Sequence, residues 1–296
     1  KLVNIEYHLL DHFAASEHKI EFHEVHGNSN ALSKSIDIYG TGSDWRADSN
    51  QPWLSLSRRH GLGNAQINVS VKTDHETLHI GEQQGQVELT DQFSGRKLSI
   101  PVILRLEPPR LSISDVGVAF TQLYRKRKVE QTVQVNSNTQ NPIAWSAYST
   151  QPWLKVEQSK NARTLSLKAN PQNLKLGMHY ATVVVRASAP AKNVERIRVG
   201  FYINGNIRRI NPTVQLTRPQ QQSDMVGDPI RPYVYVTANK SLQRYNIYTG
   251  EKQIIEDLGQ EPSALTISSD GRFLYVADAS DYSIRIYDLK NEEIAQ

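Results

Sequence analysis

The 296-residue chain contains no cysteine. That excludes disulfides, thiolate metal ligands and cysteine nucleophiles. It weighs against a eukaryotic secreted protein, whose small β domains often carry disulfides. Long apolar stretches are also missing: no run of about 18 such residues occurs, so no membrane insertion is expected. No signal peptide is visible, and the chain opens on Lys1, which reads as a mature form, an excised segment or the middle of a longer protein. Sequences of the Gly-x-Ser-x-Gly, His-Glu-x-x-His and Walker types are absent. Gly61-Leu62-Gly63-Asn64 lacks a third glycine and reads as a hairpin turn rather than a phosphate cradle. His8, His12, His18, His23, His26, His60, His75 and His79 are numerous, but no cysteine or carboxylate completes a metal spacing around them. They read as surface histidines. Carboxylates are scattered singly. The expectation is a protein without catalytic residues, metal or cofactor, and not an enzyme.

What is present is organised by repetition and by charge. Hydrophobic residues make up 38% of the chain, and the mean hydropathy of −0.53 suits small β domains with much polar surface. The net charge of +4 conceals a strong asymmetry. Residues 1–108 carry 10 Lys/Arg against 14 Asp/Glu, residues 109–216 carry 16 against 4, and residues 217–296 carry 8 against 12. A basic module therefore lies between two acidic ones, a feature that speaks to partners rather than to fold.

All four tryptophans belong to one repeat. Trp45 to Leu54 recurs as Trp145 to Leu154, with Gln-Pro-Trp-Leu identical in both. Upstream, Ser35-Ile36-Asp37-Ile38 aligns loosely with the run from Gln131 to Val135. Downstream, Leu78-His79-Ile80-Gly81 and Val87-Glu88-Leu89 align with Leu174-Lys175-Leu176-Gly177 and Val183-Val184-Val185. Apolar and polar residues alternate in Ile67 to Val71, in Leu165 to Ala169 and in Val133 to Val135, punctuated by turn residues. This predicts six or seven short strands per copy, forming an antiparallel sandwich with the tryptophans in its core.

A first Trp, a Pro-Trp-Leu leading a short strand, and then Leu-x-x-Gly-x-Tyr before a Val-rich strand resemble the BACON domains, immunoglobulin-like modules of bacterial extracellular proteins. Leu174, Leu176, Gly177, Tyr180, Val183 and Val185 fit this pattern, whereas the first copy has Gln84 where the second has Tyr180. The resemblance covers about residues 17–206 and implies glycan contact, or spacing beside other domains. A second repeat, of about 40 residues, follows. Tyr233 to Asn239 recurs as Phe273 to Ala279, and Leu242 to Ile247 as Ile284 to Leu289. It resembles the YVTN family of bacterial β-propellers, whose relatives include lactonase-type and redox propellers.

The fold expected is all-β: two tandem immunoglobulin-like β-sandwiches followed by partial β-propeller blades. Residues 1–16 read as the end strand or linker of a preceding domain, 17–108 and 109–210 as the sandwiches, 211–232 as a linker holding four prolines and a Gln220-Gln221-Gln222 run, and 233–296 as about two blades. The incomplete propeller offers an edge for self-association. The candidate anion-binding residues are Arg125, Lys126, Arg127, Lys128, Arg208 and Arg209, and the candidate sugar-stacking residue is Tyr148. Together these predict a non-catalytic bacterial protein, extracellular, periplasmic or on the cell surface. Its sandwiches would serve as carbohydrate-binding or spacer modules, and its propeller would present a ligand. One alternative is a polyanion-binding adhesin working through the basic module. Another is the accessory part of an enzyme whose active site lies in the missing propeller. Partners expected are glycans or other anionic surface polymers. Nucleic acid is not expected, since no helix-turn-helix or zinc pattern supports it.

Overall fold

The computed structural model describes residues 13–30, 32–40, 44–123, 127–160, 163–205, 222–238, 241–255 and 259–294. Every regular element among them is a β-strand. The chain divides into two compact units, one of residues 1–110 with 137–142, the other of residues 111–136 with 143–296. The end strand expected in residues 1–9 lies outside the described residues.

The first unit contains β1 (Ala14–Ala15), β2 (Ile20–Val25), β3 (Leu32–Tyr39), β4 (Asp44–Ser49), β5 (Leu54–Leu56), β6 (His60–Leu62), β7 (Ala65–Val71), β8 (Gly81–Asp91) and β9 (Lys97–Glu107). They form two sheets, ordered β1-β3-β7-β5 and β2-β9-β8-β4-β6. All pairings are antiparallel except β2 with β9. The period-2 pattern sets which side of each strand is buried. In β7, Ile67, Val69 and Val71 are buried while Gln66 and Asn68 are exposed. In β9, Ile100, Val102, Leu104 and Leu106 are buried. Both sheets contribute to a single apolar cluster that holds Trp45 and Trp53. Trp45 is 1% exposed, and its indole N–H donates to the Gly63 carbonyl at 3.0 Å, which satisfies the one polar atom it buries.

The second unit repeats this plan. Its strands are β10 (Leu111–Ile113), β11 (Gly117–Gln122), β12 (Val129–Ser137), β13 (Trp145–Ser149), β14 (Leu154–Gln158), β15 (Thr164–Ala169), β16 (Gly177–Ala187) and β17 (Val194–Ile203). The sheets are ordered β10-β12-β15-β14 and β11-β17-β16-β13, with β11 parallel to β17. The identical Gln-Pro-Trp-Leu segments make the same turn in both copies. The N–H of Leu54 donates to Gln51 O at 3.1 Å and that of Leu154 to Gln151 O at 3.2 Å. The carbonyls of Trp53 and Trp153 accept from Lys72 and Asn170. Gly81 and Gly177 open equivalent strands at φ of 115° and 113°, a conformation that disfavours any side chain. Trp145 and Trp153 are buried like their counterparts, so all four tryptophans serve the cores, as their spacing implied.

Within the second unit, two four-stranded antiparallel meanders follow. β18 (Gln222–Gly227), β19 (Tyr233–Ala238), β20 (Ser241–Asn246) and β21 (Lys252–Ile255) form one sheet. β22 (Pro262–Ile267), β23 (Phe273–Asp278), β24 (Ser283–Asp288) and β25 (Glu293–Ile294) form the other. The register shifts between Gln222 and Asp224 in one sheet and between Pro262 and Ala264 in the other, so the repeat extends to an irregularity of the backbone. The two sheets share a core built on Tyr235, Leu242, Leu274, Val276 and Tyr287. β18 falls inside the stretch read as a linker. Its polar sequence gives no strand signal, and its place comes from pairing with β19.

Candidate functional site

The outward face of sheet β11-β17-β16-β13 holds the site. Alternation along β17 sends Ile197, Val199 and Phe201 into the core and leaves Arg196, Arg198 and Gly200 on the other side. On β16, Tyr180 lies opposite Gly200, Thr182 opposite Arg198 and Val184 opposite Arg196. The first meander is seated on this face. Gly200 makes that possible: a Cβ there would stand 1.8 Å from the Ile230 carbonyl oxygen.

The seated segment is shaped by Asp228, whose carboxylate accepts the backbone N–H groups of Ile230 and Arg231, each at 2.9 Å, in a turn that Pro229 favours. Arg231 then reaches four partners. It donates to Asp228 Oδ2 at 2.9 Å, to the carbonyls of Gly271 at 2.8 Å and Leu289 at 3.1 Å, and to the Tyr180 hydroxyl at 3.0 Å. Its guanidinium also lies 5.4 Å from the Tyr180 ring centre. Alongside, Tyr202 and Tyr248 stack with ring centres 5.9 Å apart, and the Tyr248 hydroxyl meets Thr121 at 3.2 Å.

A cleft of about 590 Å³ remains beside this contact, wholly within the second unit. Arg196, Arg198, Arg231, Arg272 and Lys290 line it, with Asp270 as the one carboxylate. Thr150 and Thr182 add hydroxyls to one wall. The turn Ser269-Asp270-Gly271-Arg272 presents Asp270 and Arg272, held by Asp270 Oδ1 accepting from Ser268 Oγ at 2.7 Å and Arg272 N at 3.0 Å. Arg231 is neutralised by Asp228, and Arg272 lies 3.6 Å from Asp288. Arg198 is different. Its Nη1 is buried without a hydrogen-bond partner among the described residues, and Asp270 forms an ion pair with it at 3.8 Å, beyond hydrogen-bond reach. Burial, reinforced by the like charges of Arg231 and Arg272 and opposed by Asp270, holds its pKa below the ordinary arginine value. Since a guanidinium stays protonated in proteins, the meaning is that this charge sits in an unfavourable place.

The residues nominated from sequence are distributed otherwise. Arg127 and Lys128 are exposed and do not line the cleft. Arg125, Lys126, Arg208 and Arg209 lie outside the described residues. Tyr148 is 47% exposed on the edge strand β13, with the Arg186 guanidinium 5.9 Å from its ring centre. It pairs with Val184, which in turn pairs with Arg196, so Tyr148 shares the face that carries the cleft. The cleft arginines escaped sequence reading because each is isolated. The available signal was Arg196-Ile197-Arg198-Val199, two cations on the outer side of a strand whose counterparts in the first copy are Ser99 and Pro101. Among the described residues, no three His, Asp or Glu side chains converge as a metal ion would require.

No curated protein matches the chain. Solved structures that it resembles include a GH5 xyloglucanase from Bacteroides ovatus in complex with a heptasaccharide, at 19% identity and a TM-score of 0.27, over 37% of this chain and 21% of that one. Another is a protein of unknown function from Porphyromonas gingivalis, at 16% identity and a TM-score of 0.28, over 64% and 99%. A third comprises zebrafish RET cadherin-like domains 1 to 4, at 10% identity and a TM-score of 0.35, over 66% and 52%. The chain thus spans about a fifth of the xyloglucanase, and likenesses of this order carry no functional assignment. The viral BACON domain profile matches residues 13–94 and again 110–194. These segments cover more than half of the sequence, and the protein belongs to the viral BACON domain family, with two copies of the domain in tandem.

Proposed function

We propose that this chain is a non-catalytic segment of a secreted or surface-exposed binding protein, in which the second BACON domain binds saccharide and the first acts as a spacer. The observation that carries this reading is the difference between two copies of one fold. Where the second copy presents Tyr180, Thr182, Arg198 and Gly200, the first presents Gln84, Gln86, Pro101 and Ile103 at the equivalent registers. The second has the glycine that admits the Ile230 backbone, where the first has Ile103, and a polar cleft forms beside that contact. The one carboxylate lining the cleft suits holding a sugar rather than cleaving it, since glycoside hydrolysis ordinarily uses two.

On this reading each BACON domain is an immunoglobulin-like sandwich, and the two meanders are the opening blades of a YVTN-type propeller. Their 40-residue period supports that view, as does their stacking. Tyr233 and Tyr235 of β19 pack toward the second sheet, while the equivalent Phe273 and Tyr275, with the exposed Ile284 and Ile286, form the next face in the series. The surface in question is that of a viral particle or of a bacterial cell. A glycan array probed with the full 296-residue chain tests it. Binding that is lost on Thr182→Arg, which fills the cleft, is the expected result. Absence of binding to any glycan, or binding that only first-domain substitutions disturb, would overturn it.

A further inference from the structure

Resting on that reading of the second domain, we propose that the cleft selects saccharides bearing an oxyanion, a carboxylate or a sulfate ester, and that Arg198 is the residue that receives it. Arg198 Nη1 is buried and has no hydrogen-bond partner among the described residues, although buried donors are almost always paired. Burial of its charge is the main cost, which the ion pair with Asp270 offsets only in part; Arg231 and Arg272 are already paired with Asp228 and Asp288, while Arg196 and Lys290 line the same space. Asp270, at 3.8 Å, is too distant to supply the bond. A ligand oxyanion in the cleft would supply the missing bond and offset the desolvation of the guanidinium in one step. A planar fork of donors matches a carboxylate or sulfate edge, and such charge-assisted bonds are the strong ones.

The surroundings indicate that the anion is carried on a sugar rather than arriving alone. A volume of about 590 Å³ exceeds what a single small anion fills. Thr150 and Thr182 are joined across the strands, Thr182 N–H donating to Thr150 Oγ1 at 2.9 Å, and they offer the hydroxyl wall that sugars use. Tyr148 lies two strands from Arg196 on the same face, at roughly 10 Å given the usual strand spacing. That is a reach of about two sugar rings, so a saccharide anchored at Arg198 extends toward an exposed aromatic ring. Arg127 and Lys128 take no part.

The experiment is calorimetric titration of the full chain with matched oligosaccharides: an oligogalacturonate and its methyl ester, and a sulfated oligosaccharide and its desulfated form. At least one acidic member should bind, its neutral counterpart should bind about tenfold to a hundredfold more weakly, and Arg198→Gln should abolish the difference. Which acidic member wins identifies the group. Arg198→Lys should restore part of the preference, since it keeps the charge without the fork. Without ligand, Arg198→Gln should melt close to the wild type, because losing the 3.8 Å ion pair with Asp270 is offset by removing a desolvated charge; this separates a ligand-binding role from a structural one. An Arg127→Gln, Lys128→Gln double variant should titrate as wild type. Equal binding of acidic and neutral forms, or a preference that survives Arg198→Gln, would refute the oxyanion proposal and leave saccharide binding standing. No binding of any saccharide would remove both.

Discussion

Replacing Arg231 by methionine perturbs the seating of the meanders at its most concentrated point. The Arg231 side chain is 3% exposed and that of Asp228 0%, so the pair is desolvated. Methionine fills much of the same volume, but it loses the bonds to Asp228, Gly271, Leu289 and Tyr180. Asp228 would keep the Ile230 and Arg231 amides and the Tyr235 hydroxyl at 3.1 Å, yet no countercharge. Breaking a buried pair by removing one partner costs about 3–5 kcal/mol, against a total of roughly 5–15 for a domain. At about 2–4 °C per kcal/mol for a body of this size, the second unit should melt roughly 6–20 °C lower. Differential scanning calorimetry of the full chain would read this, with the transition of the first unit as internal reference. Adding Asp228→Asn should recover part of the loss, because it removes the stranded charge. A fall of less than about 1 kcal/mol, the value of an exposed pair, would mean that Arg231 is solvated and that the seating described is wrong.

Three further outcomes follow from the same structure. Gly200→Ala would place a methyl against the Ile230 carbonyl, and backbone cannot yield as a side chain can; amide exchange around 228–231 should rise while β12, β14 and β15 stay protected, and unchanged exchange would count against the contact. Trp45→Ala should cost about 3–5 kcal/mol in the first unit alone, measured as a urea midpoint, and a shift of the second unit's transition would contradict their separation. Asp278 accepts from the Ser280 hydroxyl at 2.7 Å and from the amides of Ser280, Glu261 and Gln260, which hold its pKa well below the usual 3.8. Its contribution is therefore complete above about pH 4 and lost as pH falls toward its depressed value. The urea midpoint of the second unit should decline on acidification below that point, and Asp278→Asn should flatten the decline.

The all-β fold and the tandem repeat were legible because the information was local and duplicated. Trp45 and Trp53 recur at the same spacing as Trp145 and Trp153, and strands such as β7 alternate strictly. The divergence of Gln84 from Tyr180 was legible too, and the structure shows what Tyr180 does: its hydroxyl accepts from Arg231. The cleft was not legible. Arg196, Arg198, Arg231, Arg272 and Lys290 come from four separate segments, and the seating of the meanders on β16 and β17 gathers them. The run from Arg125 to Lys128 was conspicuous for the opposite reason, since adjacent charges stand out in sequence while Arg127 and Lys128 remain solvated. Proline and glutamine likewise disguised β18, whose pairing partner supplies what its own composition lacks.

The most direct test is a crystal structure of the full chain with the acidic oligosaccharide that titrates most tightly. The account predicts the acidic group within hydrogen-bond distance of Arg198 Nη1, with the sugar rings running along the face toward Tyr148. A saccharide bound on the first BACON domain or at Arg127 and Lys128, with the cleft empty, would contradict it.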